Sequence, residues 1–186
     1  MAIQPAIGLV ELNSIARGIE TADAMCKVAT VDLIDAYAIC PGKYIILVTG
    51  ALADVQSSVN KGIEIASDCL VDSLIIPNIS FKVIPAILGT SAIRENIVAV
   101  GSIETFSVAS CIIASDAAAK KADVDLIEIR LAKGLGGKSF MTLCSDDVGA
   151  VRSAISAAVE SVKHLGAVVQ TTVIPQIHKD VLKTLL

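Results

Sequence analysis

The chain has 186 residues, is 54% hydrophobic but only 3% aromatic, and carries a net charge of −4. It has no basic cluster to neutralise phosphates, which argues against nucleic-acid binding. Its longest run without Asp, Glu, Lys, Arg or His, Leu165–Ile177, is 13 residues long, short of the roughly 20 that a membrane-spanning helix needs. Five cysteines, an odd number without paired spacing, argue against a secreted disulfide framework. Met1–Pro5 is short and uncharged and does not read as a signal peptide. The expected compartment is a reducing cytoplasm.

Ala6–Leu12 is a short apolar segment and reads as a strand. A helix follows, in which Ile15, Ile19, Ala22, Cys26 and Ala29 recur at steps of four and three. That spacing puts them on one face, expected to be the buried one. Val31–Ile39 and Tyr44–Val48 read as strands joined by the tight turn Cys40-Pro41-Gly42-Lys43. A second helix carries the stripe Leu52, Val55, Val59, Ile63 and Ala66. The last strand ends in Ile76-Pro77-Asn78-Ile79, a short helix follows, and Leu88–Asn96 reads as a linker.

The same order then returns. Ala6-Ile7-Gly8-Leu9-Val10-Glu11 recurs as Ala99-Val100-Gly101-Ser102-Ile103-Glu104, and Val31-Asp32-Leu33-Ile34-Asp35 as Val124-Asp125-Leu126-Ile127-Glu128, both at an offset of 93. The helix stripes recur as Val108, Ile112, Ser115, Ala119 and Ala122, and as Val148, Val151, Ile155, Ala158 and Val162, with Ser145 or Asp146 expected as N-cap. Strands are expected at Asp125–Ala132 and Ser139–Leu143. By Ile174-Pro175-Gln176-Ile177 the offset has grown to 98. The repeat predicts two domains, residues 4–90 and 97–186. Each is an α+β unit of ferredoxin-like βαββαβ order. Domains this small leave much surface exposed, so the apolar surplus is expected to lie at subunit interfaces.

The copies diverge at one loop, where Cys40-Pro41-Gly42-Lys43 faces Lys133-Gly134-Leu135-Gly136-Gly137-Lys138. The second version superficially resembles a phosphate loop. It lacks that motif's spacing and joins two strands instead of opening a helix. Cys26, Cys69, Cys111 and Cys144 lie in apolar segments and read as small buried hydrophobes. Cys40 sits at a turn tip, where Lys43 beside it would favour the thiolate. One thiol does not hold a cluster, because iron–sulfur clusters want about four thiolates. His164 and His178 stand near no nucleophile, so no catalytic set is visible. Asp32 with Asp35, and Asp125 with Glu128, recur in both copies and read as structural charges. Asp146-Asp147 reads as a helix start.

Gly8-Leu9-Val10-Glu11 followed by Asp23-Ala24-Met25-Cys26-Lys27-Val28-Ala29, and Gly101-Ser102-Ile103-Glu104 followed by Asp116-Ala117-Ala118-Ala119-Lys120-Lys121-Ala122, resemble the bacterial microcompartment shell domain, twice over. Tandem-domain members of that family form pseudohexameric homotrimers that tile into a shell around enzymes in the bacterial cytoplasm. The resemblance implies a structural protein and not an enzyme. It implies other shell proteins as partners, and encapsulated redox enzymes as further ones. Cys40 falls where one type of tandem member carries a pore-loop cysteine, one per subunit. There the resemblance implies a [4Fe–4S] cluster shared by three subunits, for electron transfer across the shell or cofactor maintenance. Pro41, Gly42, Lys43, Lys133, Gly134, Leu135, Gly136 and Gly137 would then be pore-loop residues. Lys27 and Lys120 match the family's tile-edge lysines, whereas Asn78 and Gln176 stand where members often carry an edge arginine. Two competing readings are a tile with an open metabolite pore and Cys40 free, and a soluble ligand-binding or signalling trimer.

Overall fold

The computed structural model describes residues 5–186; the expected domain start at residue 4 lies outside the described residues. The first half contains β1 (Ala6–Leu12), α1 (Ile15–Val28), β2 (Val31–Ile39), β3 (Lys43–Gly50), α2 (Leu52–Ala66) and β4 (Leu70–Ile76). After α3 (Val83–Leu88) the order repeats as β5 (Ala99–Thr105), α4 (Val108–Lys121), β6 (Asp125–Leu131), β7 (Ser139–Ser145), α5 (Val148–Val162), β8 (Val168–Ile174) and α6 (Lys179–Leu182). The two sheets run β2-β3-β1-β4 and β6-β7-β5-β8. All their pairings are antiparallel. Each is therefore a ferredoxin-like sheet. Among the described residues no helix is long and apolar enough to cross a membrane.

The helices pack on the sheet through alternate strand residues. Val10, Leu12, Ile46 and Val48 meet Met25, Val55 and Val59 in the first unit. The shared glycines follow from this close approach. A Cβ at Gly8 would lie 2.6 Å from Val59 Cγ2, and one at Gly101 would lie 2.7 Å from Ile155 Cγ1. Neither position has room for a side chain, because cores are filled to crystal-like density.

Of the stripe read on α1, only Ala22 lies on the buried face. The helix buries Gly18, Thr21, Ala22 and Met25, and leaves Ile15, Ile19 and Cys26 exposed. The reason is steric. A Cβ at Gly18 would stand 2.5 Å from the Tyr44 ring, so α1 approaches the sheet through its smallest residues. Thr21 is buried at no hydrogen-bond loss, since its hydroxyl donates to the Arg17 carbonyl at 2.8 Å. Residue hydrophobicity favoured the larger, wrong face. The α5 stripe fits better, with Val151, Ile155, Ala158 and Val162 buried. Its N-cap is Asp147, not Ser145 or Asp146: the Asp147 carboxylate accepts from the Gly149 and Ala150 amides at 2.8 and 3.2 Å.

Two compact units result, but they divide elsewhere than at 90/97. The first runs to Ile79 and takes in Lys133–Gly137; the second holds Ser80–Ala132 and Lys138–Leu186. Ser80–Asn96 thus goes with the second unit. Polar anchors explain this. The Ser80 amide donates to Asp116 Oδ1 at 2.8 Å. Lys82 Nζ donates to the Val124 carbonyl at 2.7 Å and to Asp125 Oδ1 at 3.1 Å. Arg94, in the expected linker, donates to Asp125, Asp146 and Asp123.

Candidate functional site at the diverged loops

The β2–β3 hairpin closes at the pair Ile39 and Lys43, leaving Cys40, Pro41 and Gly42 at its tip. Gly42 sits at φ +74°, in the left-handed region that favours glycine. The Cys40–Pro41 peptide is cis. Cys40 is half-buried, less open than a turn tip suggests. Lys43 does not stand free beside the thiol. Its ammonium donates at 2.7 Å to Glu11 Oε1, a carboxylate buried in β1.

The glycine-rich loop belongs to the same unit as the Cys40 turn. Gly134, Gly136 and Gly137 all have positive φ, which explains the glycine spacing. A Cβ at Gly137 would lie 3.5 Å from the Cys40 carbonyl oxygen, so the two diverged segments touch. Lys133 Nζ sits 5.0 Å from the centroid of the Tyr37 ring, a cation–π distance. Burial, reinforced by Asp35, pushes the Tyr37 hydroxyl up to about 12. Lys138 pairs with Glu104 at 3.2 Å, so the lysine of the apparent phosphate loop is already engaged.

Among the described residues no group of three or more histidine, cysteine or carboxylate side chains could hold a metal ion. One chain supplies one thiol here. A four-iron cluster fits Cys40 only if several copies converge on it. The remaining cysteines divide. Cys111 and Cys144 are buried, and burial pushes both thiols up to about 12. Cys69 is half-buried, and Cys26, expected inside, is exposed. His164 and His178 are exposed, and His178 Nδ1 caps α6 by accepting from the Asp180 amide. Lys27 and Lys120 end α1 and α4, each bound at 2.6 Å to the aspartate one turn earlier, Asp23 and Asp116.

Sequence reasoning missed the cluster around Asp125. Burial works against this carboxylate, but hydrogen bonds from Arg94 and Lys82 outweigh it and hold its pKa at about 2. Arg94 lies 31 residues from its partner, so no local spacing announces the pair. The available signal was Arg94, the one basic residue in the stretch read as a linker.

A duplicated ferredoxin-like unit with one diverged hairpin loop defines a tandem-repeat class of protein. The BMC domain matches residues 6–79 and 99–177, and the chain belongs to the bacterial microcompartment shell-protein family, with two BMC domains. It is a shell protein and not an enzyme. It is 43% identical to the bacterial microcompartment shell protein PduT of Citrobacter freundii, over 94% of each chain. It is 34% identical to the shell protein PduA of the same organism, which aligns over 47% of this chain and 90% of its own length. A microcompartment protein from Desulfitobacterium hafniense has a TM-score of 0.92 and 50% identity, covering 97% of this chain and 99% of its own.

Proposed function

We propose that three copies close into a pseudohexameric tile whose centre carries a [4Fe–4S] cluster held by Cys40. One observation carries this reading: of two loops that touch each other and occupy equivalent places in the repeat, only one has a thiol. Three copies therefore bring three thiolates to one axis and not six. Cys40 from each copy would ligate one iron, leaving the fourth iron a non-cysteine ligand. When bound, the cluster supplies one-electron transfer, across the shell or for maintaining cofactor enzymes inside. The chain's own residues hold the thiol in place. Pro41 and Gly42 shape the turn, Lys43 is pinned by Glu11, and Lys133 with Gly134, Leu135, Gly136 and Gly137 packs beside it as the rest of the pore rim. Lys27 and Lys120 serve as tile edges toward other shell proteins, and encapsulated redox enzymes are the electron partners.

The test is an anaerobic preparation examined by absorption and by iron and sulfide analysis. We expect about four irons per three chains and their loss in Cys40→Ser, with the fold retained. A colourless protein without iron after anaerobic reconstitution would favour the open metabolite pore. Concentrated protein should form sheets or tubes; a chain that stays a discrete trimer would favour the soluble alternative.

A further inference from the structure

Three lysines stand at the diverged loops, and two of them are neutralised alike. Lys43 pairs with Glu11 at 2.7 Å, and Lys138 pairs with Glu104 at 3.2 Å. Glu11 and Glu104 are equivalents at the offset of 93, so this pairing belongs to the repeat. Lys133 differs. Among the described residues it enters no ion pair. Its ammonium rests instead on the Tyr37 ring, 5.0 Å from the centroid.

Lys133 also holds a particular place in the repeat. At the offset of 93 it is the counterpart of Cys40. Its seat is supplied by the other copy. Tyr37 lies on β2, and its equivalent on β6 is Arg130, a cation that would repel a second one. The glycine loop belongs to the unit that contains Cys40 and meets the Cys40 turn at Gly137. At one position of the repeat, therefore, one copy has a thiol and the other an ammonium group that is held in place and left uncompensated. An aromatic ring attracts a cation through its quadrupole and leaves its net charge intact.

We propose that Lys133 is the electrostatic counterpart of Cys40: in the closed ring three ammonium groups alternate with three thiolates about the axis, and they raise the reduction potential of the group that the thiolates hold. This role rests on the cluster reading above and names the residue that tunes it. The argument is Coulombic. Thiolate ligation makes the site anionic, and one-electron reduction adds a further negative charge. A fixed cation stabilises the more negative state more strongly, so the electron is accepted more readily. Lys43 and Lys138 do not serve in this way, because each is offset by its own carboxylate.

The test is a redox titration of the anaerobically reconstituted full-length chain, followed by electron paramagnetic resonance. Lys133 is exposed, so Lys133→Met should fold and bind as much iron as the wild type. Its reduction equilibrium should move about tenfold toward the oxidised form, which for one electron is about 59 mV. Lys133→Arg should keep the wild-type potential. Removing a neutral pair, Lys138→Met with Glu104→Gln, should also leave the potential in place. A second readout needs no iron. In the iron-free chain Cys40 is modified by an anionic aromatic disulfide and, separately, by an uncharged one, and the two rates are read by peptide mass spectrometry. Their ratio cancels the abundance of thiolate. Lys133→Met should lower the ratio about threefold at low ionic strength, with the difference lost in high salt. Iron held at the wild-type potential in Lys133→Met, or an unchanged rate ratio at Cys40, would overturn the role of Lys133 alone. A wild-type chain that takes up no iron would overturn the cluster reading and the tuning role together.

Discussion

The two halves of this chain fold alike and are finished differently. β1 and β5, α2 and α5, and the glycines at 8 and 101 play matched parts. Yet α4 is buried along much of its length, and α1 shows Ile15, Ile19 and Cys26 to solvent. Asp116 is bound by the Ser80 amide as well as by Lys120, whereas its exposed counterpart Asp23 pairs with Lys27. Duplication let one edge be sealed within the chain while its twin stayed open. A fused pair can diverge in this way, because each copy answers to a different neighbour.

That contrast can be broken by paired substitutions, measured by urea unfolding at concentrations where the chain is monomeric. The largest difference is expected for isoleucine on the two first helices. Ile112→Ala should cost about 2–5 kcal/mol, as for deletion of a fully buried aliphatic side chain. Ile19→Ala should stay within about 0.5 kcal/mol, as for an exposed position. Equal effects would mean that the exposed face of α1 is covered in the free chain.

The lysines beside the diverged loops come next. Lys43→Ala leaves Glu11 charged and buried, and should cost about 3 kcal/mol. Lys138→Ala breaks a pair that is nearly half exposed on both sides and should change stability by less than about 1 kcal/mol.

The aspartates of the edge strands give a smaller, pH-dependent difference. Asp125→Asn should cost about 1–3 kcal/mol, by removing the acceptor of charged hydrogen bonds from Arg94 and Lys82, and Asp32→Asn should be close to silent. The pKa of Asp125 in the folded chain, about 2, lies below its ordinary 3.8. Its stabilisation is therefore complete above about pH 4 and is lost as the pH falls through about 2. The Asn variant should flatten the acid limb of the stability profile over that window, and an unchanged limb would dismiss the cluster as a fastener. At the small end, Lys27→Ala should alter folding by about 0.3–0.5 kcal/mol, the usual worth of an exposed helical pair.

Much of the frame was legible in the residues. β1 and β2 have the bounds that apolar runs and β-formers suggested, and the repeat fixed the order of elements in each unit. Helix faces were less legible. The count of large apolar residues on α1 points outward, because Gly18, Thr21 and Ala22 are what allow the helix to reach the sheet. The partner of Lys43 was hidden for another reason: Glu11 is 32 residues away and meets it only when β1 and β3 pair.

By itself, the sequence determined the duplication, the α+β class, and the presence of one loop thiol per chain where symmetry would allow two. These are local properties, written in periodicity and in the comparison of one copy with the other. Only the tertiary structure decided that Ser80–Leu88 leaves the first repeat to anchor on the second, that the Cys40 turn and the glycine loop touch, and that one edge is sealed while its twin is bare. Those outcomes depend on which distant groups meet, and burial and ion pairing are set by such meetings and not by neighbours along the chain.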